Sequence, residues 1–246
     1  MIKLITLITK LIVIALMTLL FGSCGHLINH KSIEGSGHVT TEKRIVEGDF
    51  KSVEVSNAID LVIEQSDKTE IIVEADDNLQ NEITTKVENG KLIIACDYNS
   101  FLDVSSKKVT VKMPVIEEIE ASSASNVNSA NTLKGQHIQL NSSSASAMHL
   151  TIEADDINCD SSSGSTIVVN GMALKLTISA SSGSNIDAKR LEANDIIANA
   201  SSGATIAIHP IVSLIAEASS GGNINYNSTP KSIQKNSNSG GNISQE

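Results

Sequence analysis

Any chemistry in this 246-residue chain must come from a short set of side chains. Histidine is the first candidate, with His26, His30, His38, His137, His149 and His209. None stands in a HExxH-type ligand spacing. His26 and His30 lie four apart, which serves a metal only on a helix and with further ligands. His209 precedes Pro210 and reads as a loop residue. Ser105-Ser106-Lys107-Lys108 and Ser228-Thr229-Pro230-Lys231 both match Ser-x-x-Lys. In serine acyl enzymes that spacing puts the lysine beside the nucleophile on one helix turn. Neither match lies in helix-like sequence, Pro230 opposes a helix, and the partner motifs are missing. Neither a Gly-x-Ser-x-Gly elbow nor a phosphate-binding glycine loop is found. Three acidic clusters remain: Glu74-Ala75-Asp76-Asp77-Asn78, Glu153-Ala154-Asp155-Asp156 and the weaker Leu191-Glu192-Ala193-Asn194-Asp195. Oxygen ligands at a turn could hold a cation, but such clusters are more often solvated loops. A polysaccharide lyase would also need basic residues around its substrate. The second half offers only Lys134, Lys175, Lys189, Arg190, Lys231 and Lys235, scattered. The sequence therefore yields no catalytic residue, no metal ligand set and no cofactor.

Cysteine gives an address before it gives chemistry. Leu11 to Phe21 is an uncharged apolar run preceded by Lys3 and Lys10. It is too short to span a bilayer, which takes ~20 apolar residues, and it fits the apolar region of a signal peptide. The run ends in Leu20-Phe21-Gly22-Ser23-Cys24, which resembles a bacterial lipobox with Cys24 as the lipidated residue. Residues 1–23 are thus read as a lipoprotein signal peptide and 24–40 as a tether rich in Gly and Ser. The expected address is export and lipid anchoring to a bacterial membrane, the outer membrane being favoured, on its periplasmic or cell-surface face. Cys96 and Cys159 are left, each in an alternating apolar context that favours free, buried thiols over a disulfide.

The elements that must hold these residues are strands. A net charge of −10 and a pI near 5.0 exclude nucleic acid as the natural partner. Hydrophobic residues make up 40% of the chain, yet aromatics only 2%, so aliphatic side chains must build the core and no stacking pocket is expected. Residues 24 to 120 hold 29 charged residues, whereas residues 121 to 246 hold 15 and carry 26 serines. In the first part, read as 41–120, Ser52–Val55, Ile59–Gln65, Glu70–Glu74, Ile83–Val87, Lys91–Cys96 and Lys108–Met113 read as strands. Asn89-Gly90 predicts a type I′ hairpin turn.

The second part, 121–246, repeats. Ser-Ser followed by a small residue recurs at Ser122, Ser143, Ser162, Ser181, Ser201 and Ser219, with a degenerate copy at Asn238. Five positions after each start stands Val127, Met148, Ile167, Ile186, Ile206, Ile224 or Ile243. A period near 19 residues with alternating apolar positions predicts one coil per repeat. The fold expected is all-β, a right-handed parallel β-helix of about seven 18–21-residue coils. The strand-rich first part would extend or cap it. Ser181-Ser182-Gly183, Ser201-Ser202-Gly203 and Ser219-Ser220-Gly221 are the expected corners.

The chain resembles the head GIN domain family of auto-transporter adhesins. The resemblance rests on Gly183-Ser184-Asn185-Ile186, Gly221-Gly222-Asn223-Ile224 and Gly240-Gly241-Asn242-Ile243. It rests also on Phe50-Lys51-Ser52-Val53-Glu54-Val55 followed by Leu61-Val62-Ile63-Glu64-Gln65, and it spans roughly residues 44 to 245. It implies a β-helical fold and adhesion, and it supplies no catalytic residues. The expected function is a non-catalytic, lipid-anchored envelope protein that binds glycan or protein through its polar repeats. A structural envelope module and a glycan-active enzyme stand as alternatives. The partners expected are the membrane, through the anchor, and a glycan or envelope protein.

Overall fold

The computed structural model describes Lys10, residues 31–98 and residues 100–246. The stretch read as a signal peptide, apart from Lys10, together with Cys24 and the first part of the stretch read as a tether, lies outside the described residues. The chain divides into two units, Met1–Lys31 and Ser32–Glu246, and the second contains every strand among the described residues.

That second unit is a β-solenoid. Its early strands are β1 (Ser32–Glu34), β2 (Val39–Arg44), β3 (Ser52–Val55), β4 (Asp60–Gln65), β5 (Glu70–Asp76), β6 (Ile83–Glu88), β7 (Lys91–Cys96), β8 (Ser100–Leu102) and β9 (Lys107–Met113). The repeat region supplies β10 (Glu118–Ala121), β11 (Asn126–Ser129), β12 (Leu133–Ser142), β13 (Ala147–Ser161), β14 (Thr166–Ala180), β15 (Asn185–Ala200), β16 (Thr205–Ala218), β17 (Asn223–Tyr226), β18 (Ser232–Ser237) and β19 (Asn242–Gln245). The long strands β13 to β16 bend along their length, so that one strand lines more than one face of the column.

Each repeat stacks on the next in parallel register. Ile138, Ile157, Leu176, Ile196 and Leu214 are successive register partners on one face. Met148, Ile167, Ile186, Ile206, Ile224 and Ile243 are successive partners on another. The period-two alternation of each strand sends these residues inward, and nearly all of them are buried. Aliphatic side chains at equal phase thus fill a narrow interior without rings. At ~25 cal/mol per Å² of buried apolar surface, this continuous stack is the main favourable term.

The chain turns from one face to the next at the Ser-Ser-Gly corners. Ser182 and Gly183 adopt φ of 53° and 70°, and the Ser184 amide donates to the Ser181 carbonyl at 3.2 Å. Two consecutive positive φ values closed by a four-residue hydrogen bond make a type I′ turn. Ser202 and Gly203, and Ser220 and Gly221, repeat it. Ala124 and Ala145 take the glycine position in the first two repeats, at φ of 60° and 61°. An eighth corner, invisible to the Ser-Ser pattern, is Ser56-Asn57-Ala58, with φ of 63° and 55° at Asn57 and Ala58.

The first part both extends and caps the column. β3 pairs in parallel with β10 above and with β7 below, and β4 pairs with β11 and β9 in the same way. Residues 91–113 therefore form a coil beneath residues 52–65. Around them β2, β5 and β6 pair antiparallel, and the Asn89-Gly90 turn joins β6 to β7 as the sequence predicts. Leu79 and Phe50 are buried in this part.

The stretch read as a tether to residue 40 is shorter than that. Ser32–Glu34 pairs in parallel with β8, and Val39–Arg44 pairs antiparallel with β5. These strands are mostly exposed, so they carry too few apolar residues to announce themselves.

Candidate functional site

The corners carry a buried lining that only their fourth residue reveals. Ser125, Ser146, Ser165 and Ser184 follow the small corner residue and point into the column, all buried. Ser146 Oγ lies 2.8 Å from Ser142 Oγ and 2.9 Å from the Ala121 carbonyl of the coil before. Ser165 Oγ reaches the Ser142 carbonyl at 2.7 Å, and Ser184 Oγ the Ser161 carbonyl at 2.8 Å. Each hydroxyl ties its own corner to the preceding coil, so the buried polar atoms are satisfied in series. Ser125 Oγ, at the start of the row, has no such partner. Later coils replace the serine by Ala204, Gly222 and Gly241. The signal was present in the sequence as a Ser recurring at the fourth position of the first four repeats.

Outside the column, strand alternation builds a polar row on one face. Glu120, Asn141, Asp160, Ser179, Asn199, Glu217 and Asn236 are consecutive register partners. Two hollows flank the row beside the corners. One of 270 Å³ is lined by Glu120, Asn141, Asp160 and Ser181 among others, and one of 260 Å³ by Asn199, Ser201, Glu217 and Asn236. Ser179 lines both, so the two hollows follow one another along the solenoid axis. Burial pushes the Asp160 carboxyl up, while a hydrogen bond from Gln139 Nε2 at 3.2 Å works the other way. Such a row offers amide, hydroxyl and carboxylate groups at ~4.8 Å intervals. It can accept and donate hydrogen bonds along an extended ligand, and it contains no nucleophile–base pair.

A second, apolar groove of 480 Å³ lies where the strands bend. Met172 and Leu174, 55% and 56% exposed, line it with Ile211, Lys134, Glu153, Asp155 and Glu192. Here the acidic cluster Glu153 to Asp156 is dispersed. Lys134 Nζ pairs with Glu153 at 2.8 Å, Asp156 faces His137 at 3.7 Å, and Asp155 borders the groove. In the third cluster, Asp195 accepts a hydrogen bond from Ser213 Oγ at 2.5 Å.

The first acidic cluster does structural work. Asp76 is fully buried and accepts the amides of Gly37, Ser105 and Ser106 at 3.0, 3.1 and 2.9 Å. Burial alone would raise its pKa, but the three amides outweigh that and hold the carboxyl below its ordinary range. Asp76 thereby fastens the N-terminal segment to the loop before β9. Among the described residues, no group of three or more His, Cys, Asp or Glu is placed to hold a metal ion.

The Ser-x-x-Lys matches also resolve into structure. Ser106 Oγ donates to the Glu74 carbonyl at 3.0 Å and Lys108 pairs with Glu74 at 2.9 Å. Ser228 Oγ donates to the Pro210 carbonyl. Lys107 donates to the Ala58 carbonyl at 2.5 Å and lies 3.8 Å above the Phe101 ring, with burial pulling its pKa down. Cys96 and Cys159 are free and buried, and burial pushes both thiols up, away from reactivity.

A family model described as putative auto-transporter adhesin, head GIN domain, matches residues 49–230. The chain belongs to this head GIN domain family. Among solved structures, a putative adhesin from Bacteroides fragilis superimposes with a TM-score of 0.80 at 20% identity, covering 87% of this chain and 100% of that one. A protein from Parabacteroides distasonis described as a putative lipid binding protein gives 0.72 at 21%, covering 88% and 100%. A putative adhesin from Parabacteroides merdae gives 0.69 at 21%, covering 87% and 99%. At these identities the likeness shows the fold alone. No curated protein matches the chain.

Proposed function

We propose that this head GIN domain is a non-catalytic, lipid-anchored binding protein of the cell envelope. Its ligand would be a glycan or an extended protein segment laid along the groove from Glu120 to Asn236. The observation that carries this reading is the in-register row itself, with two hollows meeting at Ser179. Hydrogen-bonding groups repeat along it at the spacing of the coils. The family's description as an adhesin supports the same reading. So does the sequence around Cys24, which supplies the anchor. Among the described residues, no helix is long and apolar enough to cross a membrane.

The purified chain is expected to bind cells or glycan arrays, and Ser179→Trp, which fills the junction of the hollows, should abolish that binding without unfolding the column. Failure to bind any ligand, or full binding by the Ser179 variant, would overturn the groove assignment. Protease shaving of intact cells tests the address. Digestion supports a surface adhesin, and protection moves the protein inside the envelope and sinks cell-to-cell adhesion.

A further inference from the structure

The two ends of the column differ in how they treat a neighbouring strand. At the end formed by the first part, the edge strands are β2 and β6. β2 carries Glu42, Lys43 and Arg44, and β6 carries Lys86 and Glu88. Charged edge residues oppose pairing with another sheet. Leu79, fully buried, closes the core behind them.

Among the described residues, the other end has neither device. β18 pairs with β16 and β19 with β17, each on one side only among the described residues. Their sequences, Ser-Ile-Gln-Lys-Asn-Ser and Asn-Ile-Ser-Gln, contain one charge. That charge, Lys235, folds back so that Nζ lies 4.6 Å above the Tyr226 ring and 2.6 Å from its hydroxyl. The inward residues of this last coil lack cover. Ile233 is 42% exposed, whereas its register partner Leu214 is 1% exposed. Ile243 is half-buried, whereas its partner Ile224 is fully buried. The coil repeats the stacking pattern and presents its free face outward.

We propose that this face is a self-association surface, on which a second copy docks its own last coil about a two-fold axis. β18 would pair antiparallel with β18 of the second copy, so that free backbone donors and acceptors meet. Ile233 and Ile243 of both copies would then be covered by each other. Charge selects this occupant. The molecule as a whole carries −10, but residues 228–246 carry only Lys231, Lys235 and Glu246. This end is therefore where two acidic copies approach with least repulsion. The charged edges at the opposite end block head-to-tail addition, so the contact closes as a dimer and grows no filament. The polar groove reaches β18 at Asn236, whereas this contact uses the free backbone edge of β18 with Ile233 and Ile243, so either assignment can fail without the other.

The test uses residues 25–246, so that neither the apolar leader nor a lipid confuses the mass. Sedimentation at micromolar concentration is expected to give twice the mass of one such chain. Adding Ile233→Lys with Ile243→Lys places like charges across the contact and should weaken the dimer by roughly a hundredfold or more. Because both residues are only partly buried, the thermal midpoint of the monomer should stay close to that of the parent. As a second readout, Gln234→Cys, near the middle of β18, should form an inter-chain disulfide on mild oxidation, whereas Lys86→Cys at the other end should not. A monomeric parent, a mass that keeps rising with concentration, or efficient cross-linking through Lys86→Cys would each overturn the proposal.

Discussion

Single residues decide where this column is fastened, and Asp76 shows it best. Its buried carboxylate gathers three amides from two distant segments. Asp76→Ala should cost about 2–4 kcal/mol, because three donors lose a charged acceptor inside the fold. The pH dependence follows from the depressed pKa. A carboxyl held below its unfolded value stabilises the fold at neutral pH and keeps doing so above that unfolded value. The contribution is lost as pH falls through the folded pKa. Denaturation midpoints between neutral and strongly acidic pH should therefore drop less steeply for Asp76→Asn than for the parent. Equal slopes would show that another group governs the acid limb. None of this was legible in Glu74-Ala75-Asp76-Asp77-Asn78 alone. The cluster reads as a solvated turn, because the amides that meet Asp76 come from residues roughly thirty to forty positions away.

At the scale of the element, the corner sets the terms. Positive φ at two successive residues costs an L side chain about 1–2 kcal/mol each, and most copies put Gly at the second. Ala124 and Ala145 bear that strain. Ala124→Gly and Ala145→Gly should therefore each raise stability by up to about 1 kcal/mol, part of the gain being lost to the freer unfolded chain. An unchanged or lowered unfolding midpoint in both would contradict the strain argument. Gly171 sits where the strands bend, at φ 121°, and a Cβ there would lie 2.0 Å from the Ile152 carbonyl oxygen. Gly171→Ala should unfold the middle coils, read as lost β signal in circular dichroism at a temperature where the parent is folded. The corners were the most legible part of the fold, because the Ser-Ser-Gly spacing states the coil length outright. The corner at Ser56-Asn57-Ala58 lacks the Ser-Ser signature, because Asn57 stands at its second position, and Ile59 takes the place of the inward serine. The inward serines were legible as a recurrence, but their burial depends on which side of the turn faces the core. That is a property of the turn type, not of composition.

For the whole molecule, the order of layers is not the order of the chain. Residues 52–65 form a layer with residues 91–113 on one side and residues 117–133 on the other. Spacing reveals repeats, but it cannot reveal this crossing, since it depends on pairings that skip about forty residues. Chains ended after a complete coil, at Ala180 or at Ala200, should fold with a lower unfolding midpoint, losing stability layer by layer. Chains ended at Gln65 should show no cooperative transition at all. Equal cooperativity in the two sets would refute the layered account. The crossing also gives the protein a direction of assembly. As a chain grows from its N-terminus, its earliest coil has no neighbour until residues 91–113 arrive and settle underneath it. From then on a finished platform exists, and each further stretch of about 19 residues needs only to settle on top. The repeats are thus laid down as courses on a foundation that the first part has already completed. A polar, weakly cohesive Ser- and Asn-rich tail never has to nucleate a sheet of its own.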